Sequence, residues 1–218
     1  MSERQLFWLG WLAALLPLVT THLSYGVSLW EEQIPACIPY WADCVSISRT
    51  GRYGSAYWLF KSLMLPACVL LWWFWWQSEG WLRQQGLKVS RVMMPLALLA
   101  SLALATYTLT LGHANDHFAV LRRIGVAGFI LCTYLVQVSV GASLYQSPVW
   151  RWAGSRVLAL GTLIVLIALL TLVLDLALEQ DYEQWEDAFE WWLFLLLNGQ
   201  LFLILSVQRV GNRPGGIG

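Results

Sequence analysis

Charge is scarce in this chain. Charged residues make up 12% of the sequence and hydrophobic residues 58%, and the mean hydropathy is +0.59. A soluble globular domain carries about 25% charged residues, so the composition excludes an ordinary water-soluble domain. The thirteen basic and thirteen acidic residues balance to zero net charge. No segment gathers a basic stripe, which argues against nucleic-acid binding.

The short motifs of common enzymes are also absent. The sequence contains no Gly-x-Ser-x-Gly, no His-Glu-x-x-His and no phosphate-binding glycine-rich loop. It also has no linker, low-complexity segment or soluble module, so residues 1–218 are interpreted as a single domain. No inverted repeat with paired broken helices is visible, which disfavours a typical secondary transporter.

Long apolar stretches fill most of the chain instead. A membrane-spanning helix needs about 20 mostly apolar residues. Six stretches meet this requirement: Leu6–Leu29, Tyr57–Trp76, Val92–Gly112, Leu121–Tyr145, Val157–Leu178 and Phe189–Val210. The sequence therefore predicts an all-α fold, a polytopic membrane bundle of six transmembrane helices. The long first outer loop, Trp30 to Ala56, is expected to be ordered over the outer end of the bundle.

Orientation follows from the Lys and Arg residues in the short loops. With the N-terminus inside, eight of them fall on the inner side and four on the outer side. Both termini are therefore predicted to be cytoplasmic. Eleven of the thirteen acidic residues fall on the outer side, which makes that face strongly polar. Arginine greatly exceeds lysine, and Ala and Leu are abundant, as in GC-rich bacterial genomes, so a bacterial inner (plasma) membrane is the expected location.

The four cysteines divide into two pairs. Cys68 and Cys132 fall within predicted spans and are interpreted as small apolar fillers. Cys37 and Cys44 both lie in the first outer loop. In an oxidising compartment a disulfide between them is favoured over two free thiols. Two cysteines do not complete a tetrahedral zinc site, so no metal is expected there.

Fifteen tryptophans occur in the chain, many of them at the predicted membrane interfaces. Tryptophan is amphipathic and settles at headgroup level. Most of these residues, including Trp191 and Trp192 at the start of the sixth span, are therefore interpreted as an aromatic belt.

Three polar clusters at the outer end are the functional candidates, because polar groups at this depth are costly. The first contains Arg49 and Arg52, which flank a Thr-Gly turn before the second span. Their guanidinium groups suit phosphate or carboxylate. The alternative is a solvated turn with snorkelling arginines.

The second cluster contains His113, Asp116 and His117, followed by Arg122 and Arg123. Two histidines and an aspartate over five residues are able to ligate a metal or to serve as acid/base groups. A polar loop is the favoured interpretation, because no further ligand is visible in the third span.

The third cluster is the acidic segment Glu179 to Glu190. Glu190 stands where the sixth span enters the membrane. Its carboxylate either interacts favourably with the dipole at the helix N-terminus or pairs with an outer arginine. Asp175 is a second candidate for such a pair, and His22 is a further member of the network or a structural hydrogen-bonding group. Lys61 is expected to snorkel to the outer interface or to pair with a carboxylate.

Several segments resemble those of the FRAG/DRAM/SFK family of six-helix membrane proteins, which is related to damage-regulated autophagy modulators and to proteins that remodel glycosylphosphatidylinositol anchors. Residues 47–53, Ile-Ser-x-Thr-Gly-x-Tyr, resemble its "ISDTG-x-Y" segment. Residues 189–191, Phe-Glu-Trp, resemble its "CEW" entry to the sixth helix. The fourth span has the family's spaced residues Gly125, Phe129, Tyr134 and Gln137.

Two positions depart from the family pattern. Arg49 replaces an acidic residue, and Arg122 or Arg123 stands near a position that is His in many members. The resemblance implies lipid handling or membrane organisation rather than one established reaction. In a bacterium, anchor remodelling has no substrate.

The leading hypothesis is a non-enzymatic protein that binds or organises lipids through an outward-facing headgroup site. Its residues are Arg49, Arg52, Arg122, Arg123 and Glu190. The alternative is an enzyme that remodels lipids or lipid-linked glycans with His113, Asp116 or His117 as acid/base or metal groups, and a small-solute transporter is third. The expected partners are membrane lipids and a membrane protein. No cofactor is expected.

Overall fold

A computed structural model describes residues 3–41, 44–178 and 183–211 of the chain. These residues form seven helices and no strand. The helices are α1 (Glu3–Trp30), α2 (Ile47–Thr50), α3 (Gly54–Gln84), α4 (Met93–Thr110), α5 (Asp116–Tyr145), α6 (Arg151–Leu178) and α7 (Glu183–Gly211). The prediction of an all-α fold is confirmed.

The six long helices match the six predicted spans. In the described part of the chain, six helices are long and apolar enough to cross a membrane, and the chain is an integral membrane protein. Their ends extend beyond the apolar stretches. The most extended is α3, which has 31 residues and a length of about 46 Å at 1.5 Å per residue, more than the roughly 30 Å of hydrocarbon. The additional turns reach into the headgroup region, where polar residues are tolerated.

Five of the long helices form a closed ring. In that ring α1 packs on α3, α3 on α4, α4 on α5, α5 on α7, and α7 on α1. The remaining long helix, α6, packs on α5 and α7 from outside the ring. Its most apolar window is only 17% buried and has a hydropathy of 3.0. The ring therefore has an interior of its own, and α6 leaves most of its surface to lipid.

The α4–α5 contact is the most extensive in the bundle, and a glycine permits it. A Cβ atom at Gly125 would lie 2.9 Å from both the Ala103 carbonyl oxygen and the Tyr107 amide nitrogen. Small residues let membrane helices approach this closely. Gly125 thereby brings Tyr107 of α4 next to the start of α5.

Both chain termini approach the same end of the bundle. The Arg209 guanidinium of α7 lies 5.1 Å from the centre of the Phe7 ring in α1. We call this end the terminal end, and we call the opposite end, which carries the first loop (residues 31–53, including α2), the loop end. Six spans require both termini to lie on one side, but which side faces the cytoplasm stays a prediction.

The first loop is fastened to the two helices that begin and end the bundle. A disulfide joins Cys37 to Cys44, whose Cα atoms are 6.5 Å apart. The Tyr25 hydroxyl of α1 donates to the Cys37 carbonyl. From α7, the Trp191 indole donates to the Val45 carbonyl at 2.9 Å, and the Trp192 indole donates to the Tyr40 carbonyl at 3.0 Å. These two tryptophans therefore do more than form a belt, because their N–H groups hold the loop over the loop end.

Candidate functional site

A polar pocket of about 530 Å³ opens at the loop end. We call it the cap pocket. Charged side chains from separate elements line it. The cations are Arg52, just before α3, and Arg122 and Arg123 of α5, and the carboxylates are Glu186, Asp187 and Glu190 of α7. Four of the five predicted headgroup residues thus share one pocket.

Arg52 is positioned by the short helix α2. This helix begins at Ser46, whose hydroxyl accepts from the Arg49 amide at 3.3 Å. One turn of helix then places Ser48 beside Arg52, and the Arg52 Nη2 donates to the Ser48 hydroxyl at 3.1 Å. The Arg52 Nε is buried and makes no hydrogen bond within the described residues. Arg52 is therefore held in place while one of its donors remains unpaired.

Arg122 is held by the turn between α4 and α5. Its Nη1 donates to the carbonyl of His113 at 2.8 Å and to that of Thr110 at 3.2 Å. Neither acceptor carries a formal charge, so the positive charge of Arg122 is not neutralised by these bonds. Arg123 follows it in α5 and is exposed at the pocket. The two residues bring adjacent positive charges to the first two turns of the helix.

The carboxylates come from the start of α7. The Glu190 side chain reaches the first loop, where its Oε2 accepts from the backbone N–H of Ile47 at 3.3 Å. The N–H groups in the first turn of a helix have no intrahelical acceptor, so Glu190 satisfies a donor of α2. Glu186 and Asp187 lie one turn earlier and line the same pocket. Residues 179–182 of the predicted acidic segment lie outside the described part.

The prediction that Glu190 or Asp175 forms an ion pair with an outer arginine is wrong, because no such pair lies within contact distance among the described residues. Among the described residues, the ion pair found is Arg83–Glu79 at the terminal end, at 2.6 Å. Glu190 bonds to backbone instead, and Asp175 is exposed on α6. Glu190 and the arginines therefore line one pocket without forming an ion pair with each other among the described residues.

Tyr107 forms the floor of the cap pocket. Its side chain is only 4% exposed, and its hydroxyl has no hydrogen-bond partner among the described residues. A buried hydroxyl without a partner is costly, by about 1–3 kcal/mol. The same ring also lines a second cavity below the pocket. The hydroxyl is therefore an unpaired polar group at the boundary between polar and apolar space.

The second cavity is an apolar slot that continues from this floor. It shares Tyr107, Val126 and Glu190 with the cap pocket and is otherwise lined mainly by apolar side chains of the ring helices. Its volume is about 40 Å³. A further crevice of about 20 Å³ shares Phe129 and Phe194 with the slot and reaches Gln137. The polar cap pocket thus adjoins an apolar slot, and polar side chains line the bundle interior again at the deeper crevice.

Arg49 does not line the cap pocket. It is exposed, whereas Ser48 and Arg52 line the pocket. The cause is the single turn of α2, which separates the directions of neighbouring side chains. Arg49 and Arg52 were both predicted to belong to the headgroup site, but only Arg52 lines this pocket.

His113, Asp116 and His117 lie outside the pocket as well. All three are exposed. Asp116 is the first residue of α5, where its negative charge interacts favourably with the helix dipole. The His113 ring packs on Phe118 with centres 4.6 Å apart. No group of three His, Cys, Asp or Glu residues able to hold a metal ion occurs within the described ranges. What this segment gives the pocket is the His113 carbonyl that fixes Arg122.

Two other polar residues of the spans have structural partners. The His22 Nδ1 lies 2.7 Å from the Leu18 carbonyl, and its Nε2 lies 2.7 Å from the Tyr40 hydroxyl. Burial raises the pKa of the Tyr40 phenol, so this hydroxyl keeps its proton. Lys61 donates to the Tyr57 hydroxyl at 2.6 Å and to the Leu109 carbonyl at 3.0 Å. Lys61 thus bonds to neutral groups, and no carboxylate of the described residues pairs with it.

Sequence reasoning did not select all of the lining residues. Tyr107 was not singled out. Ser46 and Ser48 were noted only as part of the first polar segment, and Glu186 and Asp187 only as part of the acidic segment. Tyr107 carried a usable signal, since it places a hydroxyl inside a predicted span. Ser46 carried another, because serine is a preferred N-cap residue.

No protein-family model matches this chain, and no curated protein and no solved structure matches it either. The membership of the FRAG/DRAM/SFK family stays a prediction, which rests on the residues of the first loop, α5 and α7 given above.

Proposed function

We propose that this protein binds the headgroup of a membrane lipid in the cap pocket and does so without chemical conversion. One observation carries the proposal. Three arginines and an unpaired Tyr107 hydroxyl surround a pocket whose floor continues into an apolar slot. An amphiphile has the same order of polarity, with a charged head above an apolar chain.

The donors in the pocket suit a phosphodiester. A guanidinium group offers several N–H donors in a planar fork and binds phosphate through charge-assisted hydrogen bonds. Within the described ranges, the Arg52 Nε is buried without an acceptor, and the bonds of Arg122 are to carbonyl oxygens. A phosphate would supply acceptors and negative charge to both. Charges at this depth are costly when unpaired, so ligand binding would stabilise the loop end.

Because the slot is small, we expect the protein to select its lipid by the headgroup and not by the hydrocarbon chain. The slot's volume of about 40 Å³ is far below the roughly 300–1,000 Å³ of ordinary ligand pockets. A longer hydrocarbon chain must therefore displace side chains or lie on the lipid-facing surface. We expect affinity to depend on the headgroup and to vary little with chain length.

This proposal is consistent with the resemblance to the FRAG/DRAM/SFK family and with an outward-facing site in a bacterial inner membrane, both of which we retain as proposals. The enzymatic alternative lacks support from the geometry, since His113, Asp116 and His117 are exposed outside the pocket.

Native mass spectrometry of the protein in mild detergent tests the proposal. The wild-type protein should retain a phospholipid, and Arg123→Gln and Arg52→Gln should each reduce its occupancy by roughly 10-fold, the effect of losing about 1.4 kcal/mol. Arg49→Gln is the matched control, because Arg49 lies in the same segment but outside the pocket. It should retain lipid like the wild type.

Equal occupancy in the wild type and all three variants would contradict the headgroup site. Arg123 is exposed, so its variant should fold, and a thermal melt checks this. The appearance of a lipid of altered mass during incubation would support the enzymatic alternative instead.

A further inference from the structure

The cap pocket contains carboxylates as well as arginines, and from this we infer that its ligand is a zwitterionic headgroup with a phosphate and a primary ammonium group. This inference rests on the proposed function and specifies its ligand. Phosphoethanolamine has this chemistry.

The two charges come from different elements. The guanidinium groups of Arg52, Arg122 and Arg123 belong to α5 and to the segment before α3, whereas the carboxylates belong to α7 alone. Among the described residues, no arginine forms an ion pair with Glu190. A ligand with separated positive and negative groups could therefore meet both sets at once.

Glu190 is a suitable acceptor for the ammonium. Its Oε2 accepts the Ile47 N–H, and its Oε1 makes no hydrogen bond within the described part of the chain. Glu186, one turn earlier, is exposed at the same pocket. An ammonium group has three N–H donors, so it can satisfy more than one carboxylate.

Tyr107 is the independent observation that points to a ligand here. Its hydroxyl is almost fully buried, lacks a partner in the described residues and lines the pocket where the apolar slot begins. At that depth it would meet the phosphate and ester oxygens that join a headgroup to its chains. The neighbouring Arg52 Nε is unpaired in the same way.

The carboxylates also exclude other headgroups. A purely anionic headgroup would bring its charge close to the carboxylates, and like charges repel one another. A trimethylammonium group neutralises charge but has no N–H to donate. The chemistry therefore ranks an ethanolamine headgroup above both a choline and a glycerol headgroup.

Binding to three phospholipids with identical chains tests this ranking. The full-length protein is placed in nanodiscs doped with ethanolamine, choline or glycerol phospholipid, and retained lipid is measured by native mass spectrometry. We expect the wild type to retain the ethanolamine lipid roughly 10-fold more than either of the others, as loss of one charge-assisted hydrogen bond implies.

Variants separate the two halves of the site. Glu186→Gln and Glu190→Gln should remove the preference for ethanolamine over glycerol phospholipid without weakening glycerol phospholipid binding. Arg123→Gln should weaken all three lipids. Asp175→Asn is the control, because Asp175 is an exposed carboxylate of α6 that does not line the pocket, and it should leave the preference unchanged.

The outcomes distinguish this inference from the proposed function. Equal retention of ethanolamine and glycerol phospholipids, with binding still dependent on Arg123, would overturn the zwitterionic ligand and leave the lipid site standing. Loss of Arg123 dependence would overturn both. Displacement of bound lipid by soluble phosphoethanolamine at comparable concentration would support the charge chemistry and identify a free phosphoester, rather than a lipid, as the ligand.

Discussion

At the scale of single residues, Glu190 connects parts of the chain that are 143 positions apart. Its carboxylate accepts the Ile47 N–H at 3.3 Å and joins α7 to the first loop. The sequence predicted an ion pair for it, because a charge at a span boundary needs a partner. The partner is a backbone donor at a helix start, which sequence patterns do not reveal across such a separation.

Replacing Glu190 should therefore have different effects according to whether the new side chain can accept a hydrogen bond. Glu190→Gln keeps an oxygen for the Ile47 N–H and should lower the free energy of unfolding by less than about 1 kcal/mol. Glu190→Leu leaves that donor unpaired and should cost about 1–3 kcal/mol. Thermal unfolding in detergent measures both, and equal losses would contradict the hydrogen bond.

The lack of contact between Glu190 and Arg122 gives a second residue-scale prediction. Since the two side chains bond to different backbone groups, the effects of Glu190→Gln and Arg122→Gln on unfolding should add within about 0.5 kcal/mol. A double-mutant cycle in detergent tests this. A coupling above about 1 kcal/mol would mean that the ion pair predicted from sequence does form.

The residues of the cap pocket were only partly predictable. Arg52, Arg122, Arg123 and Glu190 were selected correctly as neighbours because they all stand at the same level of the six-span plan. Arg49 was grouped with them but does not line the pocket, since the direction of a side chain within one turn of helix depends on where the helix begins. That beginning, at Ser46, was not recognised.

At the scale of elements, the spacing of α4 and α5 depends on Gly125. Gly125→Ala would place a Cβ 2.9 Å from backbone atoms of α4 and should destabilise the protein by about 1–3 kcal/mol, as overpacking does. Gly199→Ala is the matched control, because nothing lies within 4 Å of a Cβ built there, and it should be neutral or stabilising by up to about 1 kcal/mol. Thermal melts of the two variants give the comparison, and equal melting temperatures would contradict the close approach.

The disulfide of the first loop gives another element-scale prediction. Closing a loop this short should stabilise the protein by roughly 2–3 kcal/mol in the chain-entropy model. Alkylation and mass measurement before and after reduction should label Cys37 and Cys44 only after reduction. Cys132, which is free and partly exposed, labels in both cases once the protein is unfolded. Two labelled loop cysteines without reduction would contradict the disulfide.

The long helices could be predicted from sequence, and α2 could not. A stretch of about 20 apolar residues has few alternatives to a helix in a bilayer, because every backbone group must be bonded internally. The four residues of α2 have no such constraint. They are held by tertiary bonds, including the Ser28 hydroxyl that donates to the Thr50 carbonyl at 2.6 Å.

At the scale of the whole molecule, orientation in the membrane is the main open prediction. Both termini are expected in the cytoplasm, because Lys and Arg divide eight to four in favour of that side. Cysteines introduced as Ser2→Cys and Gly216→Cys, at positions outside the described residues, should not react with an impermeant reagent added to intact cells. Labelling of either one from outside would reverse the orientation and place the cap pocket in the cytoplasm.

The attachment of the first loop to α7 has a consequence for synthesis. Residues 31–53 emerge from the ribosome well before residues 183–211. Three backbone groups of the first loop are bonded by side chains of α7. The Val45 and Tyr40 carbonyls accept from Trp191 and Trp192, and the Ile47 N–H donates to Glu190. The arginine side of the cap pocket is therefore synthesised before its acidic side. The pocket remains incomplete until α7 has entered the membrane. A chain interrupted before that point would display the cationic half of the site without its acidic half.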